Sequence, residues 1–263
     1  MVEGSTWRTV TQQEVAAIAA ADRVFAGLLF SADLAWDGVD VTESRFERCL
    51  FQSATLQSID FSEATFTDCR FEPSRFASCT WAKAQLRGCS WFDAEKKKGS
   101  TFAFCDLQAV EIAKCNLATC TFERCDLYNL SAVDSSFRGA QFGQSTFSKA
   151  ISKRSTLTRA SFDSCNISFA DLSGLFLQNG EFRSCRFSET SFIDTDLSGA
   201  TLTGCDCDRV DWERAKLANA DLRGSSLSGL NLAVLADYAG LKISDSEQAE
   251  ILGNLGVEVH PSS

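Results

Sequence analysis

Histidine is almost missing from this chain, which has one in 263 residues, His260, near its C-terminal end. Nucleophile–base pairs built on imidazole are therefore not expected. No glycine-rich phosphate cradle occurs either, so no cofactor, metal or catalytic residue is expected. Positive charge is also short. Lys and Arg number 25 against 35 Asp and Glu, for a net charge of −10. Proteins that grip nucleic-acid phosphates usually carry a basic excess, so direct nucleic-acid binding is disfavoured. No apolar run reaches 18 residues, so no membrane-spanning helix is expected. The first 30 residues lack a basic start, an apolar run and a small-residue cleavage site. The expectation is a soluble, cytoplasmic protein that is not an enzyme.

What the chain has is a period. Stepping by five from Phe46 gives Phe51, Leu56, Phe61, Phe66, Phe71, Phe76, Trp81, Leu86 and Trp91. After a shift of one residue the series resumes at Phe102 and runs to Leu232, with Ser152 as its one polar member. The two series together make about 37 repeats. Two residues before each centre stands a second series that is mostly Ala, Cys or Ser, and the positions between are polar. A period of five fits neither a helix nor a strand. It implies stacked units that bury their apolar sides only against neighbours, with one large and one small side chain per repeat filling a narrow interior.

The period also assigns the twelve cysteines. Eleven fall in the small series and Cys207 falls at a centre. Their spacing is that of the repeat, not of a zinc site, so they are expected to be small core residues.

The Ala-Asp-Leu triplets at Ala170-Asp171-Leu172 and Ala220-Asp221-Leu222 resemble the pentapeptide-repeat family over about residues 40–233. The resemblance implies an all-β solenoid, a right-handed quadrilateral β-helix with four repeats per coil. The segment from Gly88-Cys89-Ser90-Trp91-Phe92-Asp93 through Lys98-Gly99, where the phase shifts, is similar to the first protruding loop of the Qnr quinolone-resistance proteins. The segment 241–259, with its Gln248-Ala249 and Leu255-Gly256-Val257, resembles the C-terminal dimerisation module of Qnr and MfpA-type proteins. Such proteins protect type II topoisomerases, chiefly DNA gyrase, from quinolones, as acidic dimeric rods that imitate duplex DNA. The implied partners are DNA gyrase or topoisomerase IV, and a second copy of the chain. The competing reading is a structural or adaptor protein of the same fold that docks some other protein.

Three domains are expected: an N-terminal helical cap at 1–40, the repeat region at 41–233 with a loop at 92–101, and a C-terminal module and tail at 234–263. Thr11 and Glu14 have capping-box form, predicting a helix from about 12 to 23. Ser244 and Glu247 predict a second capped helix. Candidate partner contacts are Phe92, Asp93, Glu95, Lys96, Lys97 and Lys98 in the loop, where a solvated turn is the competing reading. The phase is kept through 148–156 and only the centre Ser152 fails, which speaks against a long second loop without settling it; the candidates for a second loop there are Lys149, Ser152, Lys153 and Arg154. With twenty residues per coil, Asp106, Asp126 and Asp206 would share one line, Asp171 and Asp211 a second, and Asp221 a third with Glu181. Tyr238, Leu241, Ile243, Ile251, Leu252, Leu255 and Val257 are candidates for a two-fold interface, or for a simple cover over the coil end.

Overall fold

Aromatic rings twenty residues apart lie flat on one another. Phe46 and Phe66 stack at 4.5 Å and 4°, and Phe51 and Phe71 at 4.4 Å and 11°. These distances are close to the spacing of hydrogen-bonded strands, so each ring sits one coil above its partner. The structure, a computed structural model covering residues 7–152 and 155–258, is a β-solenoid of about ten turns with four flat sides. Its first face holds Leu28–Phe30, Leu50–Phe51 and Arg70–Phe71, and continues through parallel bridges from Ser90 to Ser226. The second face runs from Thr55–Gln57 to Thr121–Glu123 and on to Asp211. The third consists of bridges from Asp60 to Asp237, and the fourth is a nine-stranded sheet from Val24–Ala26 to Thr201–Thr203. Every pairing between faces of successive coils is parallel.

The corners explain the small series more fully than size does. At some corners the amide of the small residue turns back to the carbonyl three residues before it, as Ala64 N does to Phe61 O at 3.1 Å and Cys120 N to Leu117 O at 3.2 Å; at others the small residue one coil above accepts it. Cys69 N donates to Cys89 Sγ at 3.4 Å, and Cys89 N to Cys115 Sγ at 3.4 Å. Serine fills the same slot: Cys115 N donates to Ser135 Oγ and Cys125 N to Ser145 Oγ, both at 3.0 Å. The thiol then donates onward, as Cys89 does to Arg87 O and Ser135 to Val133 O. All twelve cysteines are free and buried. Burial pushes the Cys120 thiol up to about 12 and the Cys207 thiol well above its ordinary value, so these groups stay protonated and unreactive.

The interior is otherwise dry and aromatic. The indole N–H groups of Trp81, Trp91 and Trp212 find no acceptor among the described residues. The large apolar area buried with each ring outweighs that cost.

Both ends depart from the expected boundaries. The capping box at Thr11 and Glu14 is present, but its helix α1 spans only Gln12–Ala20. Arg23 then turns with φ of +57° into the strand Val24–Ala26. The lattice thus starts inside the segment expected to be a cap: Arg8–Thr9 already pairs parallel with Leu28–Leu29 on the first face, and the coil from Val24 follows α1. Phe25 stacks on Phe46 at 4.7 Å and Phe30 on Phe51 at 4.5 Å. This coil escapes a count by fives because Phe30 and Trp36 are six apart. Helix α1 covers the open end with Val15 and Ala19 buried.

At the other end, Ser244 does not cap its own helix. Instead Ser244 Oγ accepts from Gly224 N at 2.8 Å, Glu247 Oε2 from Leu227 N at 3.3 Å, and Glu250 Oε1 from Gly229 N at 3.3 Å. These amides belong to the last full coil and have no further coil to pair with. Helix α2, Gln248–Asn254, is laid across the end so that polar side chains replace the missing ladder, while its Ile251 closes the core.

Cys89→Ala removes the acceptor for Cys69 N and is expected to cost about 1–2 kcal/mol in chemical denaturation. Cys89→Ser, which copies the slot at Ser135, is expected to cost less than half as much. Equal losses would mean that the thiol acts only as volume.

Candidate protein-interaction surface

Two segments leave the rod. The first lies between Trp91 on the first face and Thr101–Ala103 on the second, where Thr101 pairs with Arg75 twenty-six residues back rather than twenty. The six extra residues are the source of the phase shift. Phe92–Asp93 pairs antiparallel with Lys98–Gly99 to form a tight hairpin. Its end fits closely: a Cβ at Gly99 would stand 2.5 Å from Ala118 O and 2.6 Å from Cys120 N, so no larger residue can close the loop there.

Within this loop the expected contact residues divide. Asp93 is only 8 % exposed. Its Oδ1 accepts from Glu95 N at 2.9 Å and Lys96 N at 3.0 Å, and Lys96 Nζ lies 3.5 Å from Oδ2. The Lys96 amide is the main reason its carboxyl is held below the usual range, against the upward push of burial. Asp93 therefore builds the turn and is not itself presented outward. Phe92 is half-buried, while Glu95, Lys96, Lys97 and Lys98 are exposed as a basic tip.

The second segment corrects an expectation. Ser148–Ser152 and Ser155–Thr158 form a protruding antiparallel hairpin, with a register shift between Ala150 and Ser152. Lys153 and Arg154 lie outside the described residues. Across the hairpin Ser136 pairs with Asn166 and Gln141 with Asp171, thirty residues apart. The ten extra residues equal two whole repeats, so the five-residue phase passes through unchanged and hides them. Only the polar centre Ser152 marks the place in the sequence. The hairpin leaves between the third and fourth faces, at the corner opposite the first loop. Beneath it runs a groove of about 870 Å³ lined by Glu63, Lys83, Glu111, Leu157, Arg159 and Glu181, among others.

The same ten residues change the acidic lines. Asp106 and Asp126 are neighbours on the third face, but Asp206 bridges Arg186 and Ser226 on the first. The third-face line instead continues to Asp196. Asp171 and Asp211 do share the second face, and Glu181 and Asp221 the fourth. These carboxylates also serve the fold: one oxygen accepts from the amide two residues on, as in Asp106 to Gln108 and Asp126 to Tyr128. Asn116 and Asn166 do the same. Burial, and then the charge of Asp106, raise the Asp126 carboxyl above its ordinary value. Asp221 is held low by Arg223, Asp206 has Arg186 at 3.9 Å, and on the third face Asp196 has Lys216 at 3.9 Å. The third face keeps a negative line at Asp106 and Asp126.

The C-terminal apolar set also divides. Ile251 is buried, and Leu241 and Ile243 pack partly against the core, all three consumed by closing the rod. Leu252 is half-buried. Tyr238, Leu255 and Val257 remain 41–48 % exposed, joined by Val234 at 42 %. Among the described residues no group of three or more metal-capable side chains occurs, and no helix is long and apolar enough to cross a membrane.

Four-sided coils of five-residue repeats with these corners define a class, and the chain belongs to the pentapeptide-repeat family. The family profile described as pentapeptide repeats (8 copies) matches residues 37–68, 44–80 and 135–174, and the one described as a pentapeptide repeat region matches 155–232. Among solved structures the chain is similar to full-length QnrB1, a plasmid-mediated fluoroquinolone resistance protein. The match has a TM-score of 0.70 at 22 % identity, covering 79 % of this chain and 100 % of that one. A trypsin-treated form of QnrB1 gives 0.68 at 20 % identity, over 90 % and 99 %. HetL, a pentapeptide repeat protein involved in heterocyst differentiation regulation from Nostoc sp. strain PCC 7120, gives 0.49 at 15 %, over 89 % and 94 %. No curated protein matches the chain by sequence.

Asp93→Ala should free the first loop without unfolding the rod. Protection of the Glu95 and Lys96 amides from hydrogen exchange is expected to fall about tenfold or more, with the melting temperature nearly unchanged. Because the Asp93 carboxyl is lowered in the folded loop, its contribution is present above the ordinary carboxylate range. It is lost as pH falls through the lowered value, so acidification of the native protein should reproduce the variant's loss of protection.

Proposed function

We propose that this protein binds a type II topoisomerase, DNA gyrase or topoisomerase IV, and shields it from quinolones or related poisons. The observation that carries this reading is an acidic rod broken at two opposite corners by hairpins, one of them with a basic tip. The likeness to QnrB1 along the whole of that chain supports it. A topoisomerase holds duplex DNA in a basic channel, and a rod with a spaced line of carboxylates meets such a channel by charge complementarity. The loops then supply contacts that duplex DNA does not have, and these separate a protector from a simple competitor. The reaction remains the topoisomerase's own, and the rod contributes binding alone.

We also propose that two copies join through the exposed residues Tyr238, Leu255 and Val257 at the C-terminal end. An end-to-end two-fold contact lengthens the rod and covers apolar side chains that one copy leaves in water.

A supercoiling assay with purified gyrase and a quinolone tests the main reading. Added protein is expected to restore supercoiling, and a variant lacking 94–97 is expected to fold but not to restore it. No rescue at any concentration of the intact protein would sink the proposal, and capture of a different host protein in its place would favour the adaptor reading. For the second copy, light scattering is expected to give twice the chain mass. Leu255→Asp with Val257→Asp should halve that mass with the solenoid spectrum intact, whereas Ile251→Asp should loosen the end of the rod itself.

A further inference from the structure

The third face places outward Asp60, Thr80, Asp106, Asp126 and Thr146, joined by parallel bridges, and then, past the second hairpin, Phe176, Asp196, Lys216 and Asp237, again joined by bridges. Eight of these are polar or charged and one is phenylalanine. Phe176 is 62 % exposed. Two other phenylalanines stand about half exposed, and each has an arginine over its ring: Arg124 lies 5.5 Å from Phe104, and Arg138 lies 4.3 Å from Phe169. Among the described residues no ring or cation stacks on Phe176. The lattice does not call for it, since aspartate occupies the same slot one coil above, at Asp196, and further down, at Asp126 and Asp106.

The surroundings of Phe176 are ordered. Gln178, in the same repeat, donates from Nε2 to Asp196 Oδ2 at 2.9 Å, and its Oε1 accepts from Thr158 Oγ1 at 3.2 Å. Thr158 stands at the root of the second hairpin and is bonded across it to Ser148 at 2.7 Å. The aromatic residue is thus tied, through its own repeat, to the hairpin on one side and to a fixed carboxylate on the other. Ile151, 64 % exposed, and Leu157, 38 % exposed, are large apolar groups presented on that hairpin.

We propose that Phe176 anchors the third face on a basic protein surface that carries an apolar socket, with Asp106 and Asp126 meeting the positive rim of that socket, while Asp196, paired with Lys216 at 3.9 Å, serves the fold. The charges choose the partner class, because the line has no cation between Asp60 and Lys216. The ring chooses a protein surface with a socket over a channel that responds to charge alone. Binding hot spots are commonly single aromatic residues ringed by polar contacts that exclude water. The identity of the partner rests on the topoisomerase reading above, and the role of Phe176 is separable from it.

The two ideas assign opposite signs to one substitution. Phe176→Asp completes the carboxylate line, so a rod bound by charge alone should bind a basic channel as well or better. If Phe176 is the anchor, the same variant should bind purified gyrase about tenfold more weakly or worse, with the loss persisting at high salt, where charge contacts are screened. Phe176→Leu should keep most of the affinity. Circular dichroism melting should match the native protein for both, and Phe176→Thr, copying Thr146, is the substitute should the aspartate variant fail to fold. Binding by the native protein that Phe176→Asp leaves unchanged or tightens would overturn the anchor and leave the topoisomerase reading standing. Absence of any binding by the native protein would overturn both.

Discussion

Each coil has to bury four large side chains in an interior only a few residues across, and this is possible because large residues stack on their counterparts one coil away, most of the aromatic pairs lying flat. The stacking of Phe46 on Phe66 and of Phe51 on Phe71 is repeated along the rod. It sets the distance between coils, and that distance is also what parallel backbone ladders require. Once both are satisfied together, the corners follow. The small residue two before each centre must be small to leave room for the ring; where it is Cys or Ser it can also accept an amide from the coil below, and where it is Ala it serves as volume alone. Cys, Ser and Thr serve both needs, so a chain with twelve cysteines has no disulfide and no metal cluster among its described residues. The cysteines are part of the hydrogen-bond framework.

A lattice this regular leaves two problems, its ends and its surface. An open end exposes amides on one side, carbonyls on the other and apolar centres between them. The protein closes one end with α1 and the other with α2. At the second end, Ser244, Glu247 and Glu250 take the place of a coil that is not there. Much of the apolar C-terminal segment is used in that closure, and what it leaves outside is the smaller set available to a second copy. On the surface, every carboxylate that holds its own turn has one oxygen committed inward, so the acidity is partly a property of the fold. What differs between faces is how many arginines answer those charges. On the third face Asp196 is answered by Lys216, while Asp106 and Asp126 have no ion pair among the described residues, and that face carries both the hairpin root and Phe176.

The two protruding segments differ in how they appear in the sequence, for a physical reason. An insertion of six shifts a five-residue phase by one, and the loop at 92–99 is therefore visible as a break. An insertion of ten restores the phase after half a coil of chain has left the lattice, and the hairpin at 148–158 is nearly silent. The cost falls on every statement about which residues share a face beyond it. Asp206 is the example: by count it lines up with Asp106 and Asp126, but in space it lies on another side with Arg186 beside it. The first coil escapes for a related reason, since one extra residue between Phe30 and Trp36 takes it out of phase with the rest.

The sequence alone determined that the chain is a solenoid of five-residue repeats, most of the residues that fill its interior (though not Phe25 and Phe30 of the first coil, nor that Ser152 and Leu157 leave it on the second hairpin), that its cysteines are core residues, and that its N-terminal helix is capped at Thr11. These are local or periodic properties, read from residues a few positions apart. Only the tertiary structure decided which face each carboxylate occupies, that Asp93 points into its loop, that Ser244 caps the last coil rather than its own helix, and that Phe176 stands bare in an acidic line. Those depend on the exact number of residues between coils and on what each side chain meets twenty or thirty positions away, and a periodic pattern carries no record of either.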